Sequence, residues 1–452
     1  MILFFLLFLA LADPLQEPQS FLIENIRIVD GNGDHGIHDI LITGSYIAAL
    51  DPKEVSQGTK RYDGSGKTLL PGLIDSHVHI TMIPGEPFLE QTQQERNERH
   101  AIDLRSYLAW GITTIVDPGI TSEDVQRIRS FHPRPEIHVI GPLLGPKHGY
   151  PSVVTKLEGV STIEEIREKI DNYEQHNPLG IKITMENGHY GSIWPLFKEE
   201  LQHSIEKEIR SRSMNLYVHA MDKKMTRRAL SMKPHTLVHA SKDGGKKLAK
   251  EIVASGAYVI STLSIYGSPL LLWNKKLLLD GAEEKTPKEA LEIMYDKRIH
   301  KQTKRAFSQV NFPAFPTWMT SWGFNSFFTK QFLGGVLKNL RIMNKEKVPL
   351  ILGSDSGGWP MFTHMLHGHT THLEIDLLEK AGLGPMEIIQ ASTSRPAKML
   401  GLEDEIGVIE VGFRADLLIV QGNPLEEIQR LHKPVWVVRN GELRTANAWM
   451  KD

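Results

Sequence analysis

The sequence predicts an α/β protein: a (β/α)8 barrel with a small β-sandwich built from both termini. Three observations carry this prediction. Strand-like and helix-like segments alternate through the middle of the chain, as in a parallel sheet with crossover helices. Segments that read as β alone stand at both ends, around Phe21 to Leu70 and Asp416 to Leu443. Polar residues recur at the C-terminal ends of the central strands, the face on which barrel enzymes place their chemistry.

Met1 to Ala12 is almost wholly apolar and ends in Ala10-Leu11-Ala12. It is too short to span a bilayer as a helix. It resembles the core of a secretory signal peptide with a small-x-small cleavage site, though the usual basic n-region is missing. Export and a mature chain from near Asp13 are the expectation, with no stable membrane span. Next come short alternating strands: Leu22-Ile-Glu-Asn-Ile-Arg-Ile-Val, then Asp39-Ile-Leu-Ile and Tyr46-Ile-Ala-Ala-Leu, with Asp30-Gly-Asn-Gly as a turn. The far end answers with Asp416-Leu-Leu-Ile-Val and Val435-Trp-Val-Val-Arg-Asn-Gly-Glu-Leu. Residues 13–70 and 405–452 therefore read as one composite β-sandwich, and 71–404 as the barrel.

Within the barrel, eight strands are expected to begin near Leu73, Thr113, Glu136, Gly180, Asn215, His235, Ala257 and Val348. Helical patterns separate most of them, for instance Glu164 to Glu174, Lys198 to Arg210 and Lys246 to Ala254. The long interval from Ser264 to Lys347, rich in Trp, Phe and Lys, predicts extra helices over the barrel mouth.

Composition narrows the chemistry. The formal charge of −2 is spread without strong blocks, which argues against nucleic acid or an anionic membrane as partner. Lys223-Lys224 and Arg227-Arg228 read as the solvated face of a helix. The chain has no cysteine, which excludes disulfides, thiolate catalysis and thiolate metal ligands. Any metal must then be held by histidine or carboxylate.

Such residues are present. In Leu69-Leu-Pro-Gly-Leu-Ile-Asp-Ser-His77-Val-His79, the two histidines stand two apart on a strand and so project to one side. Strand four, Gly180-Ile-Lys182-Ile-Thr, carries a lysine between isoleucines. Strands five and six end in His219 and His239, and strand eight in Asp355. Singly, each has a bland explanation as a cap, a turn or a bonded core residue. Together at one end of five strands they form a nitrogen/oxygen set suited to Zn²⁺, with Mn²⁺, Fe²⁺ or Co²⁺ also possible.

With these landmarks, the sequence resembles the metal-dependent amidohydrolase superfamily over nearly its whole length, most of all its imidazolonepropionase-like and prolidase-like (Xaa-Pro dipeptidase-related) branch. The segments that carry the resemblance are "LLPGLIDSHVH", "VHAMDKKMTRRALSMKPHTLVHAS", "LGSDSG" and "LEDEIGVIEVGFRADLLIV" followed by "NPLEEI". The resemblance implies that His77, His79 and Asp355 hold the more buried of two cations, and His219 and His239 the second. Lys182 would bridge them as a carbamate formed with CO₂. A water between two cations would supply hydroxide near neutral pH. Asp355 would take its proton and pass it to the departing nitrogen, while the second metal stabilises the oxyanion. The implied activity is hydrolysis of an amide or cyclic amide in a small molecule, such as an N-acyl amino acid or dipeptide. Relatives are often oligomers, so a homo-oligomer is expected by analogy.

Candidate substrate contacts are His148 and Tyr150 after strand three; Ser261-Thr262 and Tyr266, after strand seven, are expected to line the same face. His364, His367, His369 and His372 cluster beyond Asp355 at spacings that do not suggest a second metal site, and one of them is a candidate to touch substrate. Where dipeptidase-like relatives often carry tyrosine or histidine, two residues after the strand-five histidine, this chain has Met221. One rival is a mononuclear deaminase on the same barrel, for which His219-Ala-Met-Asp222 offers an acid at the right spacing; Lys182 favours hydrolysis. Another is an α/β-hydrolase elbow, Gly353-Ser-Asp355-Ser-Gly357, which leaves four histidines without a role. A ligand-less scaffold is disfavoured because all six ligand positions are filled.

Overall fold

The computed structural model describes residues 19–152, 157–188, 193–271, 279, 281–311, 325–358 and 362–451. The apolar run Met1 to Ala12 lies outside them. The chain opens with β1 (Ser20–Asp30), β2 (Gly33–Thr43), β3 (Tyr46–Leu50), β4 (Lys60–Asp63) and β5 (Lys67–Pro71). It continues with β6 (Leu73–Asp75), β7 (Ile112–Asp117), β8 (Glu136–Val139), β9 (Leu143–Leu144), β10 (Gly180–Thr184), β11 (Asn215–His219), β12 (Thr236–Val238), β13 (Tyr258–Ile260) and β14 (Leu350–Ile351). It closes with β15 (Leu417–Gln421), β16 (Pro434–Arg439) and β17 (Glu442–Thr445).

The two ends make one sheet, in the order β17-β16-β15-β5-β1-β2-β3, with β4 also on β1. The join is β5 against β15, antiparallel from Pro71↔Leu417 to Lys67↔Gln421. Alternation explains the packing. Ile26 and Ile28 on β1, Ile40 and Ile42 on β2, Leu417 and Ile419 on β15 and Val438 on β16 bury one face in a shared core. Each is worth roughly 1.5–3 kcal/mol relative to exposure.

The barrel is parallel throughout. Two seams join its parts. Ser76 N donates to Leu352 O at 3.1 Å and Asp355 N to His77 O at 2.7 Å, linking the first strand to the last. Gly141 N donates to Gly180 O at 2.9 Å and Leu179 N to Val139 O at 2.9 Å, linking β8 to β10. β9 carries the third strand on beyond Pro142. Ile74, Val116, Tyr217, Val238, Ile260 and Ile351 pack together in the interior, with the helix Ser394–Leu400 contributing to the same cluster. Their strand neighbours Ile115, Ile181, Ile183, Leu216, Val218 and Val259 belong instead to the core shared with the surrounding helices. This alternation is what the sequence pattern predicts for a filled barrel.

The expected helices form at Ile163–Glu174, Glu199–Ser211 and Gly245–Ser255. Thr162 starts the first with a capping box to Glu165. The long interval holds helices Leu263–Leu271, Ala282–Lys285, Lys288–Tyr295, Lys297–Asn311 and Asn325–Lys345. Ile293 presses on Gly85 in the loop after strand one, which puts this insertion on the mouth side. No helix among the described residues is long and apolar enough to cross a membrane.

Arg439 pins the terminal sheet to the barrel. Its Nη1 lies 2.9 Å from both Asp416 oxygens, its Nη2 2.8 Å from Glu136 Oε2, and its Nε 3.1 Å from the Arg134 carbonyl. Arg439 and Asp416 are both buried. Removing one partner of such a pair strands the other charge, so Arg439→Met is expected to cost about 3 kcal/mol. A urea midpoint equal to wild type would contradict this.

Candidate metal centre

Register dictates which side chains enter the barrel. Lys182 pairs with Tyr217, and His219 follows Tyr217 by two residues. Both therefore share the inward direction of Tyr217, while Ile181, Ile183 and Val218 face the helices. Strict alternation would turn His239 outward, because Val238 is the inward residue. The backbone corrects this with a left-handed φ of 74° at His239, and its ring comes within 4.4 Å of the His219 ring. Asp355, φ 56°, and Thr262, φ 44°, are also left-handed. Such conformations are costly for residues with a Cβ and persist where the surroundings over-determine them.

The predicted ligands meet. The rings of His77 and His79 lie 5.2 Å apart, and those of His77 and His239 5.3 Å. Asp355 Oδ1 is 3.4 Å from His77 Nε2 and 3.2 Å from His79 Nε2. His77, His239 and Asp355 each bring a ligand atom within 4.8 Å of the others. Two ligands of one tetrahedral cation, each bonded at 2.0–2.2 Å, stand about 3.4 Å apart, so these gaps are those of a coordination shell. Both ring nitrogens of His77, Nδ1 of His79, Nε2 of His219 and Asp355 Oδ1 are buried without a hydrogen-bond partner. Leaving such atoms unmatched is expensive, and a divalent cation matches them. The donor set fits a metal.

Electrostatics prepares the same role. Burial, helped by the Lys182 charge, pushes the His77 imidazole down to about 3. Burial also lowers His219 and His239. These rings are neutral at pH 7, the form that binds metal. Burial pushes the Asp355 carboxyl up, but His77 and His79 outweigh it and hold the group well below the usual carboxylate range. Lys182 is buried, which brings its ammonium down to about 8. Roughly a tenth of it is then free amine at pH 7.

Several side chains support the ligands; the sequence places Thr262 on this face as a substrate neighbour, and its contact with a ligand is a different role. Thr262 Oγ1 lies 2.7 Å from His239 Nδ1 and so leaves Nε2 for a ligand. Asp75 Oδ1 accepts from Ser354 N at 2.9 Å and its Oδ2 from Thr371 Oγ1 at 2.6 Å, tying the first strand to the last. Asp117 accepts from the amides of Ile80, Gly119 and Ile120, all at 2.8 Å, with Oδ1 4.0 Å from His79 Nδ1. Glu186 Oε2 is 3.6 Å from His219 Nε2. Asp75, in "LIDSHVH", and Asp117, at a strand end, carried the signal used for the ligands; Thr262 is placed on the face by its position after strand seven, and Glu186, past its strand, carried none.

Of the proposed substrate contacts, Tyr150 reaches the site: its ring is 4.7 Å from that of His219 and stacks on Trp194 at 5.8 Å. His148 is exposed in the preceding turn, with φ 61°. Tyr266 is buried and donates its hydroxyl to the Ala240 carbonyl at 2.6 Å, steadying the residue after His239. Two of the later histidines bond within the fold: His367 meets Tyr107 Oη at 2.9 Å and the Met82 carbonyl at 3.1 Å, and His372 meets the Trp110 carbonyl at 2.7 Å. Asp222 is the N-cap of helix Lys223–Leu230, its carboxylate accepting from Met225 N at 2.9 Å. Met221 packs partly buried against the core.

Comparison with known proteins identifies the family of the chain. The chain is 30% identical to an L-hydantoinase of Paenarthrobacter aurescens over 112 residues, covering 24% of this chain and 22% of that one. It is 34% identical to an imidazolonepropionase of Shewanella pealeana over 107 residues, 23% and 24% of the two chains. The matched stretch is thus under a quarter of the length of each relative. The crystal structure of a Xaa-Pro dipeptidase with bound methionine in the active site aligns with TM-score 0.72 at 20% identity, covering 94% of this chain and all of that one. At that identity the likeness speaks for the fold. The sequence model for the amidohydrolase family matches residues 68–443, and by that span, which takes in the whole barrel and its histidines, the chain belongs to the amidohydrolase family.

Proposed function

We propose that this chain hydrolyses a C–N bond, an amide or cyclic amide, in a small molecule such as an N-acyl amino acid or dipeptide. One observation supports this above the rest: neutral histidines and an ionised aspartate, buried and unmatched, converge at the barrel mouth around a lysine of lowered basicity. His77, His79 and Asp355 would hold one Zn²⁺ or similar cation and His219 and His239 a second, with Lys182 between them as a carbamate. When bound, such cations act as Lewis acids and lower the pKa of water toward neutrality.

The chain's own groups do the rest. Asp355, kept ionised at neutral pH, takes the proton of the attacking water and returns it to the departing nitrogen. Thr262 holds His239 through Nδ1, and Asp75 fixes the backbone on both sides of the first-to-last strand seam. Tyr150 and Trp194 offer the substrate a flat apolar wall beside His219. The free-amine fraction of Lys182 is the form that reacts with CO₂. The deaminase alternative loses ground because Asp222, its would-be proton shuttle, caps a helix.

Elemental analysis of protein purified without chelator tests the reading. Near two equivalents of metal are expected in the presence of bicarbonate, falling toward one in Lys182→Ala. About one equivalent, indifferent to Lys182, would favour a mononuclear enzyme. None at all would reject the proposal.

A further inference from the structure

Glu374, on the helix His369–Lys380, is fully buried with its carboxylate aimed at the loop after the seventh barrel strand. Four contacts converge on it. Oε1 accepts from Ser261 Oγ at 2.5 Å and Leu263 N at 2.8 Å, and Oε2 from Ser264 N at 2.8 Å and Ser264 Oγ at 2.8 Å. Among the described residues, its hydrogen-bond partners are all uncharged, and burial pushes its carboxyl up to about 7 despite those donors. A fold that needed only packing here would carry an apolar side chain.

The loop it grips explains the choice. Ser261, Leu263 and Ser264 bracket Thr262, the β-branched residue held at φ 44°. Thr262 Oγ1 is the group that occupies Nδ1 of His239. Ser264 Oγ also lies 2.6 Å from the carbonyl of Ser354, the residue before Asp355. Its single proton is therefore shared between Glu374 and the peptide leading to Asp355. One carboxylate thus clamps the backbone beside two proposed ligands from different strands.

We propose that Glu374 is a positioning residue of the metal centre, holding Thr262 in its left-handed turn so that His239 presents Nε2. The inference rests on the metal-dependent reading above and assigns part of that site's metal affinity to a residue that touches no ligand. In Glu374→Gln, the amide NH₂ faces donors on one side, so half of the clamp is lost. Thr262 can then relax toward ordinary backbone conformations, and His239 loses its partner.

The test is Zn²⁺ affinity of the metal-free full chain, read by competition with a chromogenic chelator, alongside the metal-free unfolding temperature. Glu374→Gln is expected to weaken Zn²⁺ binding by about 10- to 100-fold, the usual cost of losing an outer partner of a ligand. Thr262→Val is expected to match it. The double variant should be no worse than the more severe single one, because both act through His239. A merely structural role gives losses that multiply in the double variant, or a lower unfolding temperature with unchanged affinity; either result overturns the inference. If Glu374→Gln does not fold, Ser261→Ala removes one of the four contacts and should weaken binding several-fold, with unchanged affinity as the overturning result. A wild type that takes up no Zn²⁺ rejects the metal reading and this inference together. A wild type that binds and a Glu374→Gln that binds equally rejects this inference alone.

Discussion

Replacing Asp355 by asparagine is expected to lower kcat at least about 10³-fold, within the 10²–10⁴ range for loss of a general base, while the chain stays folded. The reasoning starts from position. Among the described residues, Asp355 is the only carboxylate that reaches both His77 and His79, and those rings keep it ionised despite burial. Asparagine has nearly the same shape but cannot take a proton and ligates weakly. Its backbone contact, Asp355 N to His77 O, survives the change, and asparagine tolerates the left-handed φ that this position requires. The fold should therefore hold and the chemistry should not. The measurement is kcat on whichever dipeptide or N-acyl amino acid the wild type hydrolyses, with the metal supplied in excess. A variant within tenfold of wild type would remove Asp355 from the mechanism.

Acidification is expected to destabilise the metal-free protein steeply below about pH 5. His364 and His369 are pushed down to about 3, and His100 to about 4, in each case by burial. None of them is a proposed ligand. In the unfolded chain each titrates near 6.5. Between that value and the folded one, the unfolded state binds the extra proton, so stability falls as pH falls. At pH 5 the cost is about 2 kcal/mol for each such histidine. Two buried acids work the other way. Burial raises Asp75 to about 6 and Glu374 to about 7, so each favours the folded state increasingly as pH drops from 7 toward its unfolded value. That gain levels off near pH 4 to 4.5, whereas the histidine loss continues toward 3. His367 and His372, also lowered by burial, add to the loss. The unfolding temperature should change modestly between pH 7 and 6 and drop sharply below 5, with net proton uptake on unfolding. An unfolding temperature at pH 5 equal to or above that at pH 7 would show that the buried acids outweigh the histidines.

Much of the architecture was legible in the residues. Every one of the eight barrel strands appears where an apolar run bounded by turn residues announced it, because a strand buried on both faces needs such a run whatever its neighbours. The joining of the two β-rich ends was legible too: short alternating strands with one apolar face demand a partner, and only the other terminus supplied one. Helix starts followed local chemistry, as at Thr162 and Glu165. The five strand-end positions with ligand chemistry were found by residue type and place alone.

Supporting residues followed a different rule. Asp117 is held by three backbone amides that follow strands one and two, and Asp75 by the amide of Ser354 and the hydroxyl of Thr371 far along the chain. Neither partner set has a sequence pattern. Tyr266 could be read as facing substrate, but its hydroxyl is engaged by the Ala240 carbonyl, a contact that exists only once strand six and the helix after strand seven are in place.

By itself, then, the sequence determined the strand count, the pairing of the ends and which residues are the candidate metal donors, because each depends on local pattern and side-chain chemistry. Tertiary structure alone decided how those donors are aimed. His239 should face outward by alternation, and it enters the site because its backbone turns left-handed. Its ring is then met by Thr262, whose flanking residues Glu374 bonds, and both partners come from elements remote in sequence. A backbone strained at one residue is affordable only when many distant groups converge on it, and such convergence is a property of the folded chain.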